Sequence, residues 1–96
     1  MYDIRATPEF DKDLGRAKRE SRVDVEELLT VVRFLSTGDV LPEVLEAYSD
    51  HRLRGRWGEC QDIHIHDDLI LVYKIEDNAL KLVRLATHEE LERWNY

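Results

Sequence analysis

The sequence is poor in residues that staple, break or anchor a chain. Among 96 residues there is one cysteine, Cys60, so no internal disulfide can form and no zinc-ligand spacing exists. A lone thiol suits a reducing compartment, and a cytoplasmic location is expected. Two prolines and four glycines, with no repetitive stretch, leave no linker and no low-complexity segment. The longest apolar runs, such as residues 69–73, are far too short to cross a bilayer. Residues 1–7 carry Asp3 and Arg5 inside their apolar pattern and do not read as a signal peptide. No motif asks for a cofactor, and none is expected.

Positive charge is scarce as well. Fourteen Lys and Arg face 21 Asp and Glu, a net charge of −7, which argues against binding nucleic acid through a general positive field. The first fifty residues hold most of the acidic excess. Arg52, Arg54 and Arg56 form a local basic patch in the second half.

What is present is patterning, enough for one domain spanning residues 1–96. Residues 1–7 alternate as a short strand with one wet face. Thr7-Pro8-Glu9 is a helix start: a capping hydroxyl, a proline at the first helical position and an acid at the positive end. Phe10, Leu14 and Ala17 then fall on one narrow stripe, and this helix should end near Ser21 and Arg22. Asp24 begins a second helix, with Glu27 placed for a capping box. Val25, Leu28, Leu29, Val32 and Leu35 line its apolar face, and Gly38 stands where a stop belongs.

Residues 39–50 form a connector in which Pro42 can open one short helical turn. Residues 56–65 resume a strand pattern, and 69–75 is the strongest strand, nearly continuous in β-branched and aromatic residues. Asp77-Asn78 makes a two-residue turn into a returning strand at 79–86. Thr87-His88-Glu89-Glu90 is a capping box opening a last helix. The order β-α-α-β-β-β-α suits an α+β domain: an antiparallel sheet with the two N-terminal helices on one face.

Strict alternation would put Leu80, Leu82, Arg84 and Ala86 on one face of the last strand, and Asp62, His64 and His66 on one face of the earlier one. If the helices cover one side of the sheet, the other side carries Arg84 and His64 together. His88, at the helix start, hangs over the same region, and Asp68 lies in the tight turn after His66. The candidate constellation is His51, His64, Asp68, Arg84 and His88. Imidazoles supply a base and an acid near neutral pH, a carboxylate orients one of them, and an arginine fork holds a crowded phosphate. That set suits cleavage of an RNA phosphodiester by its own 2′-hydroxyl. The bland alternatives are a solvated His66, an Arg84 paired with Glu76 or Asp62 across the sheet, and a His88 that merely begins a helix. The spacing His64-x-His66-Asp67-Asp68 matches no strong metal motif, and no metal is expected.

Four segments, in order, resemble the YafQ branch of the RelE/ParE toxin superfamily: Asp50-His51-Arg52-Leu53-x-Gly55-x-Trp57, Asp62-x-His64-Ile65, the run from Asp68 to Ile75, and Leu82-Val83-Arg84-Leu85-x-Thr87-His88-x-x-Leu91. The resemblance implies the microbial-ribonuclease-like fold and the toxin of a type II toxin–antitoxin pair. Such a toxin is a ribosome-dependent mRNA endonuclease that halts translation. A cognate antitoxin would hold it inactive, and operator DNA would be reached only through that antitoxin. By motif the catalytic set falls on His51, His64, Asp68, Arg84 and His88. Asp68 or His64 would be the base, His88 the acid, Arg84 the phosphate holder and His51 an auxiliary. Leu69 stands where the family often has an aromatic residue, and Glu92 about where another is expected. The runner-up is a ParE-like inhibitor of DNA gyrase on the same fold, which has no use for His64, Asp68 and His88 together. A third reading is a non-toxic, antitoxin-binding regulatory homologue.

The basic patch generates the first prediction. The Arg52/Arg54/Arg56→Ala triple variant should bind ribosomes more weakly and with a shallower salt dependence, measured by sedimentation across a salt series. Unchanged affinity would remove the patch from the account.

Overall fold

Period-two and period-3.6 patterns in this chain translate into elements whose ends are set by side chains. The computed structural model describes residues 1–38, 59–66 and 68–94. In chain order these form β1 (Asp3–Ala6), α1 (Pro8–Arg19), α2 (Val25–Ser36), β2 (Gln61–His66), β3 (Leu69–Glu76), β4 (Ala79–Thr87) and α3 (His88–Arg93). The expected turn after Pro42, residues 56–58, His51 and the three arginines of the basic patch lie outside the described residues.

Caps and turns follow the sequence signals. Thr7 Oγ1 accepts from Phe10 N at 3.0 Å and donates to the Val83 carbonyl at 2.7 Å, so it fixes α1 to β4 as well as starting it. Asp24 accepts from Glu26 N and Glu27 N. The expected reciprocal half of that capping box is not what Glu27 does: its carboxylate lies 2.9 Å from His66 Nδ1, drawn off by a long-range partner. Gly38 takes φ +75°, and a Cβ there would sit 3.3 Å from the Tyr2 ring. Asp77 and Asn78, at φ 53° and 60°, make the left-handed pair that a tight hairpin needs.

The sheet runs β1-β4-β3-β2. β2, β3 and β4 are antiparallel, as expected, but β1 pairs with β4 in parallel, from Asp3 opposite Ala79 to Ala6 opposite Leu82. The hairpin forces β3 and β4 antiparallel, whereas β1 and β4 stand far apart in the chain, and no tight turn constrains the direction of β1. The sheet is therefore mixed at one edge.

Two register shifts overturn the simple alternation. His64 faces Ile70 while His66 faces Leu69, which makes Ile65 an extra residue. Tyr73 faces Leu82 while Val72 faces Arg84, which makes Val83 another. Each is a β-bulge that changes which side later residues take. Leu80, Leu82 and Leu85 consequently share the face covered by α1 and α2, in a core with Phe10, Ala17, Leu28, Val32, Leu35, Ile63, Leu69, Leu71 and Tyr73. Val72, Ile70 and Ala86 line the opposite face with Leu91 of α3, flanked by Val83 and Trp94. Arg84 goes with that second face and His66 leaves it, so neither shared-face grouping drawn from strict alternation holds. Nor is the second face bare, because α3 covers part of it.

Leu71 is fully buried under the helices, whereas Leu29 is 44% exposed on α2. Leu71→Ala should lower the unfolding free energy by about 2–5 kcal/mol, and Leu29→Ala should change it by less than about 0.5 kcal/mol. Urea denaturation of both variants checks the contrast.

Candidate functional site

Three of the five candidate residues meet where β2, β3 and α3 come together. His64 is carried on β2, on the α3 side of the sheet. Asp68 lies in the turn into β3. His88 is the first residue of α3, and the capping box around it is complete: Thr87 Oγ1 accepts from Glu90 N, and Glu90 Oε1 accepts from Thr87 N, each at 3.1 Å. Asp68 Oδ1 is hydrogen-bonded to His88 Nδ1 and also accepts from His88 N at 3.3 Å. The His64 and His88 rings lie 4.9 Å apart between centroids, tilted by 52°. The His88 side chain is 35% exposed, so the cluster opens to solvent. A cavity of about 400 Å³ adjoins it, with Arg22, Val23, His66, Asp68, Leu69 and Thr87 among its walls.

Arg84 shares the face but is held elsewhere. Its Nε and Nη2 donate to the two oxygens of Asp13 at 2.7 and 3.0 Å, and its Cζ lies 3.9 Å over the Trp94 ring. Arg84 is thus paired with α1, a partner beyond the cross-sheet acids Glu76 and Asp62. Asp13 also accepts from Leu85 N at 3.0 Å. Arg16 bridges Asp13, at 3.7 Å, to Glu90, at 2.6 Å. Sequence reasoning missed Asp13 as a support, and read Glu90 as a helix cap without its bond to Arg16. The available signal was an acid at position 13, inside the buried stripe of Phe10 and Ala17, where only an internally partnered charge survives.

His66 does not join the cluster: its ring lies between Glu27 Oε2 and the Arg22 carbonyl on the helix side. Leu69 is buried in the helix-side core, so that position offers no stacking surface. Burial, with the Asp62 charge second, pushes the Tyr73 hydroxyl up to about 12, and burial also raises the Cys60 thiol. Both stay protonated near neutrality and offer neither an acid nor a nucleophile. Among the described residues no group of three or more His, Cys, Asp or Glu is placed to hold a metal ion, and no helix is long and apolar enough to cross a membrane.

Comparisons with known proteins give the family and the fold. The family described as "Bacterial toxin of type II toxin-antitoxin system, YafQ" matches residues 2–93. The mRNA interferase toxin YafQ of Escherichia coli K12 is 33% identical over 90 residues, covering 93% of this chain and 94% of that protein. The crystal structure of YafQ from E. coli BL21(DE3) superposes with a TM-score of 0.75 at 31% identity, over 95% of this chain and 98% of that one. The toxin chain in the E. coli DinJ-YafQ toxin-antitoxin complex gives 0.71 at 32% identity, over 94% and 96%.

The hydrogen bond from the His88 side chain holds the Asp68 carboxyl below its ordinary value; the His88 backbone N–H and the His64 charge act in the same direction. A depressed carboxyl pKa means stability that is present above the unfolded value, near 3.8, and lost as pH falls through the folded one. The difference in unfolding free energy between the wild type and Asp68→Asn should therefore be largest between about pH 5 and neutrality and vanish in strong acid. Urea titrations at a series of pH values measure it. A difference that grows with acidification would refute the assigned ionisation.

Proposed function

The chain belongs to the YafQ family of bacterial type II toxin–antitoxin toxins, and from that membership we propose that it is an mRNA interferase, an endoribonuclease that cuts mRNA on the ribosome and so blocks translation. The observation that carries the reading is the meeting of His64, His88 and Asp68 at one solvent-open corner of the sheet. Two imidazoles side by side, one of them oriented by a carboxylate, are what an in-line transesterification needs.

In the proposed reaction His64 removes the proton from a 2′-hydroxyl. The resulting oxygen attacks the adjacent phosphorus, and the bond from phosphorus to the 5′-oxygen breaks. His88 gives its proton to that leaving oxygen. Asp68 accepts from Nδ1 of His88, which assigns the exchangeable proton to Nε2 and casts Asp68 as the group that orients the acid. Its depressed pKa makes it a weak base, so the base role falls to His64. Arg84 balances the charge that builds on the phosphoryl oxygens. His51 assists at the phosphate, and Arg52, Arg54 and Arg56 contact the ribosome. Base, acid and cation are all side chains, so the scheme uses no metal and no cofactor.

Partners follow by likeness. The E. coli relative forms a complex with the antitoxin DinJ, and this chain is expected to be held inactive by its own cognate antitoxin, to reach operator DNA only through it, and to act in the cytoplasm where ribosomes are. Residues 1–96 act as one toxin domain.

His88→Ala and Arg84→Ala should each reduce cleavage of ribosome-bound mRNA by roughly a hundredfold or more, read by primer extension with purified ribosomes. Near-wild-type cleavage by either folded variant counts against the assignment. Induced expression that leaves mRNA intact but disturbs supercoiling would move the chain to the gyrase-inhibitor reading, and expression without growth arrest would leave a regulatory homologue.

A further inference from the structure

A carboxylate on the buried stripe of an amphipathic helix needs a reason, because an apolar side chain of similar size would pack there without desolvating a charge. Asp13 is 3% exposed and stands one turn from Phe10 and Ala17, both core residues of α1. Its surroundings show how the charge is used. β1 pairs with β4 as far as Leu82, and beyond that point no strand among the described residues pairs with this edge of β4. Asp13 takes the strand's place, accepting the Leu85 N–H at 3.0 Å. The carboxylate is thereby anchored to the sheet backbone. Its oxygens then receive Nε and Nη2 of Arg84, a two-point contact that fixes the plane of the guanidinium as well as its position. The Trp94 ring closes one face of that plane at 3.9 Å from Cζ.

We propose that Asp13 is a positioning residue for the cleavage reaction, which sets Arg84 in the one orientation that meets the phosphate. The inference rests on the ribonuclease reading above and adds a residue outside its reacting groups. The same stretch of α1 reaches the other end of the site. Arg16, 3.7 Å from Asp13, grips Glu90 at 2.6 Å, and Glu90 caps the helix that begins with His88. One helix thus holds both the arginine and the acid-bearing helix in register.

The test uses Asp13→Asn, nearly isosteric and able to accept the Leu85 N–H, with Asp13→Glu as a second variant that keeps the charge but displaces it. In single-turnover cleavage of ribosome-bound mRNA, Asp13→Asn should lower kcat roughly tenfold to a hundredfold, by misplacement of the arginine, and leave KM within about twofold, as expected where only a transition-state contact is lost. The loss should vanish in an Arg84→Ala background, because a residue that acts only through Arg84 has nothing left to position. Amide and side-chain ¹⁵N–¹H spectra supply a readout that needs no activity. The Arg84 Nε–H should be a resolved, slowly exchanging resonance in the wild type and an averaged one in Asp13→Asn, with backbone dispersion unchanged. A wild-type kcat in Asp13→Asn, losses that add in the double variant, or an Arg84 resonance indifferent to position 13 would each overturn the proposal. A wild type that cuts no RNA, yet shows the Arg84 resonance ordered by Asp13, would fell the ribonuclease reading and reduce Asp13 to a fold contact, overturning its catalytic purpose by a different and recognisable result.

Discussion

β3 is hydrogen-bonded to β4 along its length and to β2 from Leu69 to Tyr73, and the site is registered against it. Ile70 and Val72 are its two residues facing α3, and each marks a row across the sheet: His64, Ile70 and Ala86 in one, Asp62, Val72 and Arg84 in the next. Those rows depend on the bulges at Ile65 and Val83. Without the first, His66 would follow His64 onto the open face and set another imidazole beside it. Without the second, Arg84 would share a face with Leu82, under α1 and α2, where a guanidinium could be buried only at the expense of the apolar core. A one-residue change of register exchanges the faces of everything beyond it. The two insertions therefore decide which titratable groups can act together.

Charge is the second constraint. The chain is acidic overall, yet several of its described cations are committed inside the structure: Arg84 to Asp13, Arg16 to Asp13 and Glu90, Arg22 to Glu20 and Glu90, Lys74 and Lys81 to Glu76. An internally paired cation contributes little field at a distance. Under the proposed function, association with a polyanion then rests on a local patch, the part assigned there to Arg52, Arg54 and Arg56. Arg84, 18% exposed and neutralised by Asp13, is suited to hold one phosphate in one pose and poorly suited to attract a strand from solution. The proposed function thus divides capture and chemistry between different arginines.

Much of this was legible from the residues. Thr7-Pro8, Asp24, Gly38, Asp77-Asn78 and Thr87-x-x-Glu90 each act over a few positions, so local chemistry alone dictates the helix ends and the hairpin. The convergence of His64, Asp68 and His88 was legible because strand alternation holds from Asp62 to His64 and a tight turn follows. The failures share one cause. A bulge that needs no glycine leaves no compositional mark, so Ile65 and Val83 read as ordinary strand residues. Asp13 finds its partners 71 and 72 positions away, and Glu27 is drawn from a local cap by His66. The parallel pairing of β1 likewise depends on what lies at the far end of the chain. Local rules run out where a side chain's partner is set by the closed sheet.

The division of labour proposed for the two imidazoles rests on the same geometry. The His64 and His88 rings lie 4.9 Å apart between centroids, and the proposed acid and base roles call for unlike surroundings. The surroundings differ. Asp68 is bonded to His88 through side chain and backbone, while it meets His64 only as a charge across space. The carboxylate holds the His88 ring by Nδ1 as well as by the backbone N–H of the same residue. The asymmetry that the proposed acid–base pair requires thus originates in the turn that carries Asp68. That turn follows directly from the bulge at Ile65, which shifts β2 by one residue just before the chain reverses into β3.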